Sequence, residues 1–153
     1  METLTLVVAF VNLVLLGAVY GVFFAYSNSV VPGLDRGEHA RAAMRDINVV
    51  IINPRFLATF TGPVVTTAAT GFLLLGLDET TPALLYFAAA VVYLLGSLVV
   101  TGRINVPMNN ALEDGTLTWA GYAPRWRRWN TVRTVSSMVA LVLSGAGLYV
   151  WGG

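Results

Sequence analysis

Pro82-Ala-Leu-Leu-Tyr-Phe-Ala-Ala-Ala-Val-Val-Tyr-Leu-Leu-Gly-Ser-Leu-Val-Val-Thr-Gly102 carries no charged side chain, and Asp78, Glu79 and Arg103 bracket it. Hydrocarbon about 30 Å thick is crossed by roughly 20 apolar helical residues, and the helix is favoured there because lipid offers the backbone no hydrogen-bond partners. This run meets that requirement and predicts a transmembrane helix. Three more segments read the same way: Leu4–Ala25, Phe56–Leu77 and Thr134–Trp151. The expectation is an all-α membrane protein, a four-transmembrane-helix bundle forming one domain over residues 1–153.

Composition agrees with that reading. The chain is 56% hydrophobic and 11% charged, where a soluble domain carries about 25% charged residues. Its mean hydropathy is +0.71. All nine basic residues are arginines, spread over two loops and not massed in a stripe, so no nucleic-acid partner is expected. The absence of cysteine excludes disulfides, thiolate metal sites and dithiol relays. The first span starts too near the N-terminus for a signal peptide's basic region and is expected to be retained.

Between the first two spans lie Arg36, Arg41, Arg45 and Arg55; between the last two lie Arg103, Arg125, Arg127 and Arg128, with Arg133 at the edge of the fourth. Arginine excess marks the cytoplasmic side, which puts both long loops there and both termini outside the cell membrane. Ala42, Ala43, Ile47, Val50 and Ile51 recur at helical spacing within Glu38–Ile52 and predict a short amphipathic interfacial helix. Trp119, Tyr122, Trp126 and Trp129 suit headgroup depth. Small residues at Gly17 and Gly21, and at Ala89, Ala90, Gly96 and Ser97, offer faces for close helix contact and leave a homo-oligomer open. Pro63 deprives the Thr59 carbonyl of its donor, and Thr66, Thr67 and Thr70 are expected to face the bundle and solvate that kink.

All eight acidic residues fall outside the spans. Proton-coupled exporters rely on an ionisable group in mid-membrane, so that class is disfavoured. Haem carriage needs paired axial ligands, and the single histidine, His39, lies in a loop. Neither a metal nor a cofactor is expected. Polar residues instead gather at the arginine-bearing ends of the helices: Asn48, Asn53 and Arg55; Arg103, Asn105, Asn109 and Asn110; Trp126, Trp129, Asn130 and Arg133. Each alone reads as a cap, a loop amide or a snorkelling cation. Together they would line a pocket for a flat, mostly apolar ligand with one or two polar oxygens.

The motifs Gly21-Val-Phe-Phe-Ala-Tyr-Ser-Asn-Ser-Val-Val-Pro-Gly-Leu34, Met44-Arg-Asp-Ile-Asn48, Asn53-Pro-Arg-Phe56, Asn105-Val-Pro-Met-Asn109 and Trp126-Arg-Arg-Trp-Asn-Thr-Val-Arg-Thr134 occur in that order around the four spans. This pattern resembles the DUF1772 family, the anthrone oxygenase-like membrane proteins. The resemblance implies an oxygenase that inserts one oxygen atom from O2 into an anthrone without metal or flavin. The family's last motif often carries histidine where this chain has Thr131. If that histidine is the base, the remaining candidates are Asp46 and His39.

Such a reaction needs a base at an acidic C–H and donors to hold the oxyanion. Arg133, Asn130, Asn105 and Asn109 are the candidate catalytic donors, Arg133 first because its planar fork can bind an oxyanion through two bonds. Asn53, Asn48, Trp126 and Trp129 are the candidate substrate-binding residues, for a hydrophobic aromatic of polyketide type. The alternative is a non-enzymatic membrane protein binding a lipid or quinone-like molecule. The orientation is directly testable. A C-terminal alkaline phosphatase fusion is expected to be active; an inactive one beside an active cytoplasmic reporter would invert the topology.

Overall fold

The computed structural model describes residues 1–152 as five helices. Four are long and apolar enough to span a membrane: α1 (Glu2–Leu34), α3 (Pro54–Leu75), α4 (Thr80–Glu113) and α5 (Trp119–Gly152). The short α2 (Ala40–Val50) lies between α1 and α3. Helices α1 and α4 each pack against α3 and α5, giving a four-helix bundle.

Three helices outrun the spans expected from hydropathy. At 1.5 Å per residue, the 34 residues of α4 and of α5 reach about 50 Å, roughly 20 Å beyond the hydrocarbon. Helices α3 and α4 are joined by a tight turn in which Asp78 takes a left-handed φ of 61°, so the overhang lies at the arginine-bearing end. The long loop expected between the third and fourth spans shrinks to residues 114–118. Hydropathy stops at Arg103 and resumes at Thr134, but an amphipathic helix can continue into water at no cost to its hydrogen bonds.

The overhang has its own core. Val31, Met44, Met108, Leu112, Tyr122, Ala123 and Trp126 are buried together, so Tyr122 and Trp126 turn inward. Helix α2 docks through Ala40 and Met44, not through Ala42 or Val50, which are exposed. Arg41 donates to the Leu112 carbonyl from Nε and Nη2 at 3.2 and 3.1 Å, capping α4. Arg45 pairs with Glu113, and that bond raises the Arg45 pKa. After α4 the chain turns at Gly115, whose φ of 84° favours glycine. There Thr116 donates to Asp114 from its hydroxyl and amide and lowers the carboxyl's pKa.

Two helices widen at matching places. The Val31 amide bonds the Tyr26 carbonyl, and the Val106 amide bonds the Thr101 carbonyl, each five residues back. These two wide turns, Tyr26–Val30 and Thr101–Asn105, run into a Val-Pro pair, whereas a third in α4, Leu94–Val99, has no proline after it. A proline ring presses on the carbonyl four residues before it, here Asn28 and Arg103, and π-type widening relieves that pressure. Such turns often occur at functional sites.

Within the hydrocarbon, polar side chains satisfy one another. Asn12 donates to Ser144 Oγ at 3.0 Å and accepts from Thr66 and Thr67 at 2.9 and 2.7 Å, tying α1 to α3 and α5. Thr67 and Thr70 face the bundle as expected, but they and Thr66 bond the Pro63, Thr66 and Gly62 carbonyls, and none of the three reaches Thr59. The close-contact face is on α4, where a Cβ on Gly96 would run into the Ser136 side chain, whereas Gly17 and Gly21 have nothing within 4 Å of theirs. Gly96→Leu is therefore expected to cost about 1–3 kcal/mol by overpacking, read as a lower Tm in detergent. Gly17→Leu should leave Tm nearly unchanged, and the reverse order would refute this packing.

Candidate functional site

At the base of the overhang, the two wide turns and the start of α3 surround a cavity of about 270 Å³, just below the roughly 300–1,000 Å³ usual for small-molecule pockets. Val22, Phe23, Ile51, Phe56, Leu57 and Phe60 give it an apolar wall. Its polar groups come from α2, α4 and α5: Asn48, Thr101, Asn105, Asn109, Asn130 and Arg133, with Tyr26 and Trp126 beside them. A second groove shares Val22, Tyr26, Ile51 and Phe56 and carries Asp46 and Asn53.

Arg133 dominates the electrostatics. It is 6% exposed and forms no ion pair among the described residues. Its Nη2 donates to Asn130 Oδ1 at 2.6 Å and its Nη1 to Thr101 Oγ1 at 3.1 Å. The guanidinium carbon lies 4.4 Å from the Phe23 ring centroid and 5.1 Å from that of Trp126, both within cation–π range. Its Nε has no partner.

Asn130 is held by α1, donating to the Phe23 carbonyl and to Ser27 Oγ at 2.7 Å each. Asn109 accepts from Tyr122 at 2.8 Å and from Trp126 Nε1 at 3.0 Å, which fixes the indole. Asn105 is different: it is 1% exposed, and neither its Nδ2 nor its Oδ1 has a partner. The Nδ2 of Asn48 is also unpartnered. A buried polar atom without a partner costs about 1–3 kcal/mol. Several such atoms around one cavity mark a place where a ligand supplies the missing bonds.

The cavity thus brings together Arg133, Asn130, Asn105, Asn109, Asn48 and Trp126 from three separate stretches of sequence. Two expected members lie elsewhere. Asn53 caps α3, its Oδ1 accepting from the Phe56 amide at 3.0 Å and its Nδ2 donating to the Val50 carbonyl at 3.0 Å. Trp129 packs against the overhang core. Arg55, Arg103 and Asn110 are exposed. Tyr26 and Thr101 were missed by sequence reasoning, although the Val-Pro pairs that widen their turns could have pointed to them.

Among the described residues, no three His, Asp or Glu side chains converge on a point that could hold a metal ion. A family model described as anthrone oxygenase matches residues 55–143. The chain belongs to the anthrone oxygenase family. The match takes in the cavity residues of α4 and α5 and stops short of Asn48, Asn53 and the Gly21–Leu34 motif. No curated protein and no solved structure matches the chain. In this family member Thr131 is exposed and bonds the Arg127 carbonyl at 3.0 Å. Thr131 therefore lies outside the cavity.

Burying Arg133 costs several kcal/mol. Two charge-assisted hydrogen bonds at about 1.5–3 kcal/mol each and two cation–π contacts at roughly 0.5–2 kcal/mol each about offset that. Arg133→Met should accordingly shift stability by less than about 2 kcal/mol. Unfolding in detergent checks this, and failure of the variant to fold would make Arg133 a structural residue.

Proposed function

We propose that this protein is an oxygenase of a hydrophobic aromatic substrate, acting on an anthrone-type methylene conjugated through the flanking rings to the carbonyl across the central ring. The observation that carries this reading is that the buried, ion-pair-free Arg133 lines a mostly apolar cavity together with the unpartnered amide of Asn105. The family match supports the reaction class. An apolar wall suits fused rings, and the polar side suits the oxygen substituents of such rings.

The reaction balances without a cofactor. Loss of a proton from the methylene gives an enolate, whose oxyanion Arg133 and Asn105 stabilise. The enolate passes one electron to O2, and the radical pair joins to form a C–O bond and, after protonation, a hydroperoxide. Loss of water from the hydroperoxide and the remaining C–H leaves a carbonyl, so one O2 and one anthrone give one anthraquinone and one water. Pre-aligned donors matter here because negative charge develops in a site where solvent does not screen it.

One observation favours a second reading. None of the cavity-lining residues is Asp, Glu or His, so no ordinary general base faces the ligand, and a binding protein for a lipid or quinone-like molecule would have the same walls. With the arginine-bearing loops toward the cytoplasm, either ligand would arrive from the cytoplasm or sideways from the bilayer, past the groove that shares Val22, Tyr26, Ile51 and Phe56.

Oxygen consumption separates the readings. Purified protein in detergent, given anthrone, is expected to take up one O2 per anthrone and to place one labelled atom from 18O2 in the product. Asn105→Ala should slow this by about 10²-fold, the usual cost of one oxyanion donor. A rate no faster than oxidation in protein-free micelles would overturn the oxygenase reading, and mass spectrometry of the purified protein would then identify the bound lipid or quinone.

A further inference from the structure

The cavity has a cation and no base, and this combination points to a way of making the reactive anion. Arg133 keeps its charge in proteins generally. The titratable side chains facing it are Tyr26 from α1, Tyr93 from α4 and Tyr122 from α5. The Tyr93 hydroxyl donates to the Phe60 carbonyl at 2.7 Å and that of Tyr122 to Asn109. From α3 only apolar residues face the cavity, and from α2 and the turn after it come Asn48, Ile51 and Ile52. Asp46 of α2 lies in the adjoining groove and not in the cavity. Among the described residues, no anion compensates the guanidinium.

A neutral ligand in this cavity leaves a buried charge unpaired; an anionic ligand turns it into a buried ion pair. An opposite charge within about 4–6 Å commonly lowers an acid's pKa by 1–3 units, whereas burial alone raises it. Asn105 adds specificity, since its free Nδ2 and Oδ1 offer a donor and an acceptor side by side. A carbonyl oxygen and a hydroxyl on the same ring edge would satisfy both.

We infer that the cavity binds a hydroxyaryl ketone as its monoanion, with Arg133 drawing the acidic proton off the ligand and into solvent as the ligand binds. The ligand's O–H or C–H bond breaks, the electron pair stays on the ligand, and water accepts the proton. Under the oxygenase reading, on which the substrate class rests, the enolate then forms by the pull of the site and not by the push of a side-chain base. Arg133 and Asn105 are the residues that touch the ionised group.

Alizarin, a hydroxyanthraquinone whose phenolate absorbs at longer wavelength than its phenol, reports this directly. The wild-type protein in detergent is titrated with the dye across pH, with protein-free micelles as reference. The bound dye is expected to ionise at least one pH unit below the dye in empty micelles, a tenfold shift of its proton equilibrium. Arg133→Gln should reverse the sign and move bound-dye ionisation above the micelle value, because desolvation remains and the cation is gone. Arg133→Lys should keep the downward direction with weaker binding, which preserves the test if the glutamine variant does not bind. Arg128→Gln, at an exposed position, should match wild type. A bound dye that ionises at or above the micelle value, or a downward shift that persists in Arg133→Gln, would overturn the inference. A downward shift without O2 uptake on anthrone would sustain it and remove the oxygenase reading; uptake without the shift would do the opposite.

Discussion

Hydrocarbon supplies no hydrogen bonds, and every polar atom inside this bundle must find its partner within the protein. That constraint accounts for the hydroxyls of Thr66, Thr67 and Thr70 bonding carbonyls of their own helix. It also accounts for Asn12, which joins three helices with each side-chain function engaged. The unpartnered atoms stand out against this background. Apart from the Tyr86 hydroxyl, the buried side-chain atoms without partners belong to Asn48, Asn105 and Arg133, and all three residues line one cavity.

The cavity depends on two departures from regular helix. Pro32 and Pro107 force wide turns just ahead of them, which bring Tyr26, Thr101 and Asn105 into the wall. Helix α5 then crosses this level with Trp126, Asn130 and Arg133 on one face, at spacings of four and three residues. Above the cavity, Arg41 and Arg45 clamp α2 to the end of α4. Trp119 Nε1 donates to Asp35 at 2.6 Å and ties the start of α5 to the end of α1. The chain's surface cations are thus partly spent on holding a lid of polar helix over the site, while one cation is kept inside it.

Arg133 is an unusual investment for stability alone. Its hydrogen bonds go to an amide and a hydroxyl, and its two faces meet aromatic rings. An apolar side chain of similar volume would fill the same space without the desolvation cost. A buried ionisable residue near the membrane is expected to serve a ligand or a charge-moving step, and Arg133 lines the same cavity as the unpartnered Asn105.

Fold class was legible because the apolar runs such as Pro82–Gly102 admit only one backbone solution in lipid. The spans' number and order follow from that, as does the presence of a short helix between the first two. Helix ends were not legible: α4 and α5 continue past Arg103 and back to Trp119 because helical hydrogen bonds persist in water, where hydropathy carries no signal. The face of α2 that docks on the protein was not legible for a related reason, since Ala40 and Met44 are selected by what lies above the membrane, the overhang core of α1, α4 and α5. For the site, local sequence could identify Arg133, Asn130, Asn105 and Asn109 as polar residues at one depth. Only the packing of three helices could decide that Asn109 and Asn130 are tied up by neighbours, that Asn53 is a cap, and that Arg133 and Asn105, both lining the cavity, keep buried atoms without partners. Hydrogen-bond satisfaction is a property of what surrounds an atom, and no residue carries it in its own identity.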